Sequence, residues 1–158
     1  MAKRFWLFKS DPSEFGLSHL KKCPDKSSLW DGVRNYQARN LIRDEIQIGD
    51  GVLFYHSQES PPSVVALAKV VEKAYPDPTQ FDKRSKYYDE KATKDAPRWF
   101  VVDIQHQRDL GRPVTLPEIR ETPGLEEMVL VKRSRLSIQP VQPDEWKIIV
   151  KMGGRASR

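Results

Sequence analysis

Short apolar runs alternate with polar turns along this chain, and the runs show two different periodicities. Strands are predicted where apolar residues form a short block or alternate with polar ones, at residues 4–9, 52–55, 63–73, 98–106 and 136–138. Helices are predicted from start signals and from apolar positions three or four apart, at residues 12–22, 35–46, 116–121 and from Pro143 onward. Residues 52–55 are apolar on both faces, so we place that strand in the centre of a sheet.

Two of the helix starts carry capping residues. Asp11 precedes Pro12, and Glu14 follows three positions after Asp11, which is typical of a helix N-terminus. Asn35 stands before the second amphipathic segment and can accept a hydrogen bond from its first turn. Gly153 is expected to end the last helix.

The distribution of proline bears on the fold class. Twelve prolines are scattered along the chain, many of them at breaks between short elements, which favours a barrel or sandwich over a doubly wound sheet. Residues 76–97 form a polar segment that is too long to be a simple connection. We therefore predict an α+β fold, a small mixed β-barrel with helices laid across it, in a single domain spanning residues 1–158.

Composition narrows the class of protein only modestly. The 158 residues carry a formal net charge of +5, which is compatible with a polyanionic partner but does not demand one. Cys23 is the only cysteine, which excludes an intrachain disulfide and the usual structural zinc patterns. No apolar run approaches the length of a membrane span. We expect an intracellular, cytoplasmic protein, with association with a bacterial nucleoid left open.

Residues 29–45, LWDGVRNYQARNLIRDE, combine the groups that an unstacked nucleobase requires. Trp30 offers a flat aromatic ring, and Asn35 and Tyr36 crowd the start of a helix, where unpaired N–H groups lie. Arg39 and Arg43 share an outer helix face. Each residue also has an ordinary structural interpretation: Trp30 as core, Asn35 as a helix cap, and the arginines as a solvated surface.

Two apolar strands end in polar residues. Lys9-Ser10-Asp11 follows the first strand, and His56-Ser57 follows the central one. Strand ends of this kind can converge at the mouth of a small barrel, where ligands commonly bind. Trp99, at the start of a later strand, could supply a second aromatic wall, although it could equally be a core residue.

Catalytic motifs are missing from the sequence. It contains no nucleophile elbow, no Walker loop, no GxGxxG and no metal-spaced pair of histidines. We therefore predict no catalytic residues, no metal and no cofactor, and interpret the chain as a binding module.

Five segments together resemble the EVE domain family: FWLFKSDPSEF, LWDGVRNYQARN, GDGVLFYHS, VVALAKVVEKAYPDPTQFD and PRWFVVDIQ. The resemblance covers the chain from Phe5 to about Lys151. It implies a PUA-like fold and kinship with YTH domains, which hold a methylated adenine in an aromatic cage. It also implies a reader of modified bases in DNA or RNA, with modified cytosines such as 5-methylcytosine as the leading candidates.

The resemblance assigns roles to individual residues. The base pocket would comprise Lys9, Ser10, Asp11, Trp30, Asn35, Tyr36, His56, Ser57 and Trp99. Apart from the resemblance, we expect phosphates to be held without sequence reading by Arg34, Arg39, Arg43, Lys83, Arg84 and Lys86. The partner is then a nucleic acid and not a membrane, and we expect a monomer.

Two other functions fit the same residues. One is a PUA-type module that binds RNA irrespective of modification. The other is a small enzyme that acts on a modified nucleoside or an amide.

Overall fold

The computed structural model describes residues 3–132 and 135–154, and this part of the chain forms one mixed sheet flanked by short helices. The strands are β1 (Phe5–Ser10), β2 (Ser27–Leu29), β3 (Gly51–His56), β4 (Ser63–Pro76), β5 (Phe100–Thr115) and β6 (Ile138–Val141). The helices are α1 (Pro12–Phe15), α2 (Leu17–Lys22), α3 (Tyr36–Asp44), α4 (Leu116–Glu121), α5 (Val129–Lys132) and α6 (Pro143–Gly153). Single 3-10 turns occur at Pro24–Lys26 and Pro78–Phe81.

The six strands lie in the order β2-β5-β4-β3-β1-β6. β1 and β3 are parallel, and all other neighbours are antiparallel. The mixed α+β class is confirmed, but the predicted barrel is not, because no pairing within the described residues joins β6 back to β2. β6 includes Pro140, which has no N–H to donate and is typical of an edge strand.

The hydrophobic core lies on both faces of the sheet. Alternate residues of β1 point to opposite sides, so that Trp6 belongs to the cluster under α3 and Leu7 to the cluster under α4, α5 and α6. β3 is buried along its whole length between β1 and β4, as its apolar sequence predicted. Within the described ranges, no helix is long and apolar enough to cross a membrane.

Both predicted helix caps are confirmed. The Asp11 carboxylate accepts a hydrogen bond from the Ser13 N–H at 2.9 Å, and the Asn35 side chain accepts one from the Ala38 N–H at the same distance. The first helix is not continuous to Lys22 as predicted, because Gly16 adopts an extended conformation and its N–H donates to His19 Nδ1.

The late elements follow the prediction with shifted bounds. α4 spans the predicted residues, and the buried Ile149 lies in the expected apolar stripe of α6. The last strand begins at Ile138 instead of residue 136, and Gly154, with φ of +65°, is the C-cap of α6 one residue after Gly153. β5 continues nine residues beyond the predicted end at residue 106, through shifts in its register with β4.

Candidate functional site

A cavity of about 410 Å³ opens where β1 ends and where the chain turns before α3. Three chain segments supply most of its wall: the end of β1 with α1, the segment from β2 into the turn, and the long polar loop after β4. The lining residues are Lys9, Ser10, Asp11, Glu14, Phe15, Ser28, Leu29, Trp30, Asp31, Gly32, Val33, Arg34, Tyr87 and Ser137.

The end of β1 is fixed by its parallel neighbour. Ser10 pairs with His56 in the β1–β3 register, and both the N–H and the hydroxyl of Ser57 donate to the Ser10 carbonyl, at 2.9 and 3.2 Å. The Ser10 hydroxyl oxygen is buried in the cavity wall and has no hydrogen-bond partner among the described residues. A buried polar atom without a partner is unusual, and it marks a point where a ligand or water would be accommodated.

Lys9 and Asp11, on either side of Ser10, have defined surroundings. The half-buried Lys9 places its Nζ 5.9 Å from the centre of the Tyr55 ring, and burial lowers the pKa of Lys9. Asp11 accepts from the Ser13 hydroxyl at 2.7 Å in addition to the Ser13 N–H, and these hydrogen bonds lower the pKa of Asp11. The Asp11 carboxylate therefore caps α1, and Asp11 also lines the cavity.

The turn before α3 is held in place by Asp77, a residue 45 positions beyond Gly32 in the chain. The Asp77 Oδ2 atom accepts from the Gly32 N–H at 2.9 Å and from Arg34 Nη1 at 3.0 Å. Its Oδ1 atom accepts from the Thr79 N–H at 2.8 Å and from the Thr79 hydroxyl. Asp77 does not line the cavity, yet it positions two residues that do.

The ionisation of Asp77 follows from these contacts. Asp77 is wholly buried, which acts to raise its pKa, but the hydrogen bonds from Thr79, Gly32 and Arg34 outweigh burial, so the pKa of Asp77 is lowered. The lowered pKa favours the ionised carboxylate of Asp77, which lies buried behind the cavity wall. Sequence reasoning did not single out Asp77, although the Asp-Pro-Thr order repeats the Asp-Pro-Ser order at residues 11–13.

Trp30 has both of the roles considered for it. It lines the cavity, but it is only 7% exposed and packs against Phe8, Phe15 and Phe54 with ring centres 5.3 to 6.1 Å apart. Most of this side chain is therefore core, and only a small part of it is accessible from the cavity.

Tyr87 is an aromatic wall that sequence reasoning missed. A Cβ atom at Gly32 would lie 2.5 Å from the Tyr87 ring, so the absence of a side chain at Gly32 is what lets this ring approach the turn. Gly32 also has a φ of +79°, which disfavours other residues. Nothing in the sequence distinguishes Tyr87 from the adjacent Tyr88, which is exposed and does not line the cavity.

Several predicted pocket residues lie outside the cavity wall. Asn35 caps α3, and the ring of the half-exposed Tyr36 packs at a tilt against the buried Trp99, with 5.0 Å between ring centres. The Trp99 indole N–H donates to Asp89, so this tryptophan anchors the polar loop. Ser57 supports the carbonyl at the end of β1, as described above.

His56 is occupied by structural contacts. Its Nε2 accepts from the Leu17 N–H at 3.1 Å, so Nδ1 carries the proton and faces Glu59 at 3.2 Å. This histidine therefore ties the start of α2 to the end of β3. It does not line the cavity.

The predicted phosphate-binding residues differ in how far they are committed to other groups. Arg34 binds Asp77 and the Tyr87 carbonyl, and it lines the cavity instead of lying on the outer surface. Arg39 donates to the Arg98 carbonyl, and Arg43 pairs with Asp44. Lys86 pairs with Glu14, whereas Lys83 and Arg84 are exposed on the same loop.

The fold and the cavity define the class of protein: a small α+β domain with a polar and aromatic pocket at the end of β1 and the turn before α3. The EVE domain model matches residues 4–152, and the chain belongs to the EVE domain family.

Named relatives support the same assignment. Human thymocyte nuclear protein 1 is 39% identical over 93% of this chain and 72% of its own length. The zebrafish (Danio rerio) protein of the same name is 38% identical over 93% of this chain and 71% of its own length. Among solved structures, a Leishmania major protein superposes with a TM-score of 0.91 at 43% identity, covering 96% of this chain and 95% of the other.

One solved relative contains nucleic acid. The crystal structure of human THYN1 in complex with DNA that contains 5-methylcytosine superposes with a TM-score of 0.90 at 37% identity. It covers 98% of this chain and all of the other chain.

Proposed function

We propose that this chain is a non-enzymatic module that binds nucleic acid and holds one modified base, most simply 5-methylcytosine, in the cavity at the end of β1. The observation that carries the proposal is this cavity of about 410 Å³, lined by aromatic and hydrogen-bonding side chains, in a chain that superposes on a relative complexed with 5-methylcytosine DNA. A base enters such a pocket only after it is unstacked, which costs a few kcal/mol in a duplex and less in a single strand.

Tyr87 is the side chain best placed to stack on the base. Trp30 is only 7% exposed among the core phenylalanines, whereas Tyr87 comes from the loop and is partly exposed. Stacking of a base on an aromatic ring contributes on the order of 1–3 kcal/mol. A buried methyl group adds about 1 kcal/mol, so the pocket must favour the modified base mainly by shape.

The polar loop also supplies the phosphate contacts in this proposal. Lys83 and Arg84 are exposed, and Lys86 is held near the cavity mouth by Glu14. These cations would contact the backbone on either side of the flipped base without reading sequence. Arg34 is assigned instead to holding the loop, because its donors are already used inside the protein.

Fluorescence anisotropy with labelled oligonucleotides tests the proposal. Single strands and duplexes with one central cytosine or 5-methylcytosine are titrated at two salt concentrations, and we expect tighter binding of the modified strand at both. Tyr87→Ala should weaken binding of the modified strand on the order of tenfold, since it removes the stacking surface.

Tyr88→Ala is the matched control, because it removes the neighbouring exposed ring of the same loop. We expect it to leave the affinity within about twofold of wild type. Equal affinities for cytosine and 5-methylcytosine would support modification-independent binding instead. Equal effects of the two tyrosine substitutions on affinity would show that Tyr87 does not stack on the base.

A further inference from the structure

Most charged groups in the cavity wall already have partners inside the protein. Asp11 accepts two hydrogen bonds from Ser13, and Glu14 pairs with Lys86. Arg34 is committed to the buried carboxylate behind the turn. These groups shape the wall, but they have little capacity left to read a ligand.

By contrast, Ser10 and Asp31 carry polar groups in the wall that make no hydrogen bond with another described side chain. The Ser10 hydroxyl is buried and has no hydrogen-bond partner in the described part of the chain. The Asp31 carboxylate receives no hydrogen bond from any other described side chain, and it borders the same cavity. The turn that carries Asp31 is fixed through its neighbour Gly32, so the carboxylate is presented from a defined backbone position.

We propose that Asp31 accepts a hydrogen bond from the exocyclic amino group of the bound base and that the Ser10 hydroxyl completes the contact with the base edge. The pocket would therefore select an amino-bearing pyrimidine over its keto counterpart. The inference rests on the proposed function, because it requires that a base occupies the cavity.

The chemistry of the two side chains gives the direction of selection. An ionised carboxylate can only accept hydrogen bonds, and the 4-amino group of cytosine donates them, whereas O4 of thymine or uracil is an acceptor. A keto base would therefore place an acceptor, O4, against the carboxylate in place of the amino donor, and the two negative dipoles would repel each other. The Ser10 hydroxyl can donate or accept, so it adds affinity without setting the preference.

The surroundings of Asp31 favour such a ligand. The residue is open to solvent at the mouth, but protein atoms crowd the carboxylate, and this desolvation together with the charge of Asp77 raises the pKa of Asp31. The ionised form is thus poorly compensated by the surrounding protein groups. An amino donor would offset that deficit.

Four oligonucleotides separate this inference from the proposed function. Cytosine, 5-methylcytosine, uracil and thymine are placed in turn at the centre of one single strand, and binding is measured by anisotropy at constant ionic strength. 5-Methylcytosine and thymine carry the methyl group, whereas cytosine and uracil lack it. Cytosine and 5-methylcytosine carry the 4-amino group, whereas uracil and thymine have a keto group in its place. We expect 5-methylcytosine to bind at least about tenfold more tightly than thymine, and cytosine similarly more tightly than uracil.

Asp31→Asn is the decisive variant. Its amide can present either a donor or an acceptor, so the ratio of amino to keto affinities should fall to within about threefold. Glu127→Gln is the matched control, because it removes the same charge at an exposed carboxylate that pairs with Lys132 and does not line the cavity. Its ratio should stay within about twofold of wild type.

Ser10→Ala tests the second half of the contact. We expect about a fivefold to tenfold loss of affinity for both amino-bearing bases, with no loss of thermal stability, because the hydroxyl has no hydrogen-bond partner among the residues that the structure describes. A less stable Ser10→Ala protein with unchanged affinity would overturn the assignment of Ser10.

Wild-type protein that binds 5-methylcytosine and thymine equally, or an unchanged ratio in Asp31→Asn, would overturn the inference. Equal binding of 5-methylcytosine and cytosine would contradict the proposed function alone. The preference for an amino group would still be measured by comparing 5-methylcytosine with thymine and cytosine with uracil.

Discussion

Residues 11–15 and 77–81 share one sequence pattern, Asp-Pro-Ser/Thr-x-Phe, but have different tasks in this protein. The local structure is the same in both: the aspartate accepts from the N–H two residues later, at 2.9 Å in the first segment and 2.8 Å in the second, and from the hydroxyl of the same residue. Each segment then begins a single helical turn.

The two segments differ in burial and therefore in the groups that their aspartates contact. Asp11 lies at the cavity mouth, while the wholly buried Asp77 also binds the turn that forms the cavity wall. Glu14 is exposed and pairs with a surface lysine, whereas Gln80, at the equivalent position, is wholly buried.

Gln80 uses its amide completely. Its oxygen accepts from the N–H groups of Arg98 and Trp99, and its nitrogen donates to the carbonyls of Asp77 and Trp99. A neutral amide can satisfy four backbone groups in the interior, whereas a lone carboxylate there would carry a large desolvation cost. The same short motif can therefore be a surface cap or a buried junction, depending on what packs over it.

Substituting the two aspartates one at a time should give the largest difference in the free energy of unfolding between the two segments. Asp77→Ala leaves the Arg34 charge and the Gly32 N–H without their partner, so we expect a loss of about 3 kcal/mol in the free energy of unfolding. Asp11→Ala removes only a cap and should cost less than about a third of that. Urea unfolding followed by circular dichroism measures both, and equal losses would contradict the comparison.

The fourth position of the motif should give the next largest effect. Gln80→Ala leaves four backbone groups to find other partners, and we expect it to lower the free energy of unfolding by about 2 kcal/mol. Glu14→Gln breaks one exposed ion pair and should produce no measurable change. Loss of stability in both variants would show that the surface segment also supports the core.

Acid should reduce the advantage that Asp77 provides. Because the pKa of Asp77 is lowered in the folded state, its stabilisation is complete above the unfolded value near 3.8 and is lost as the pH falls through the lower folded pKa. The stability difference between wild type and Asp77→Asn should therefore be constant near neutral pH and narrow below about pH 4. A difference that grows on acidification would contradict this sign.

The smallest expected change in stability is at Asp31, which lies in the turn that Asp77 holds in place. The pKa of Asp31 is raised, so this group favours folding below its unfolded pKa, and that contribution is lost as the pH rises through the folded pKa. Asp31→Asn should therefore be slightly more stable than wild type at neutral pH, by no more than about 0.5 kcal/mol after solvent screening, and equal to it in acid. Thermal melts at two pH values measure the change, and a destabilised variant would show that the carboxylate holds the turn.

Local signals predicted the parts of the molecule that local interactions determine. The caps at Asp11 and Asn35 and the central strand at residues 52–55 follow from side-chain chemistry within a few positions. Lys9 and Ser10 could be proposed as pocket residues because polar groups at a strand end are conspicuous in sequence.

The parts that were not predicted depend on contacts between distant segments. The parallel pairing of β1 with β3 and the bond from Gly32 to Asp77 span more than forty residues, and no periodicity reports them. Short elements such as β2 and α5 give too few residues for a pattern. Which of the two adjacent tyrosines enters the wall was likewise decided by the space above Gly32.

The hydrogen bond from Gly32 to Asp77 joins the turn before α3 to the polar loop, so we expect the two segments to open as one cooperative unit. Opening the loop would release the turn, so the amides of Gly32, Thr79 and Trp99 should exchange with solvent deuterons through one shared opening reaction. A ligand bound at the turn would then slow exchange at all three amides, including the two that lie far from it in the chain.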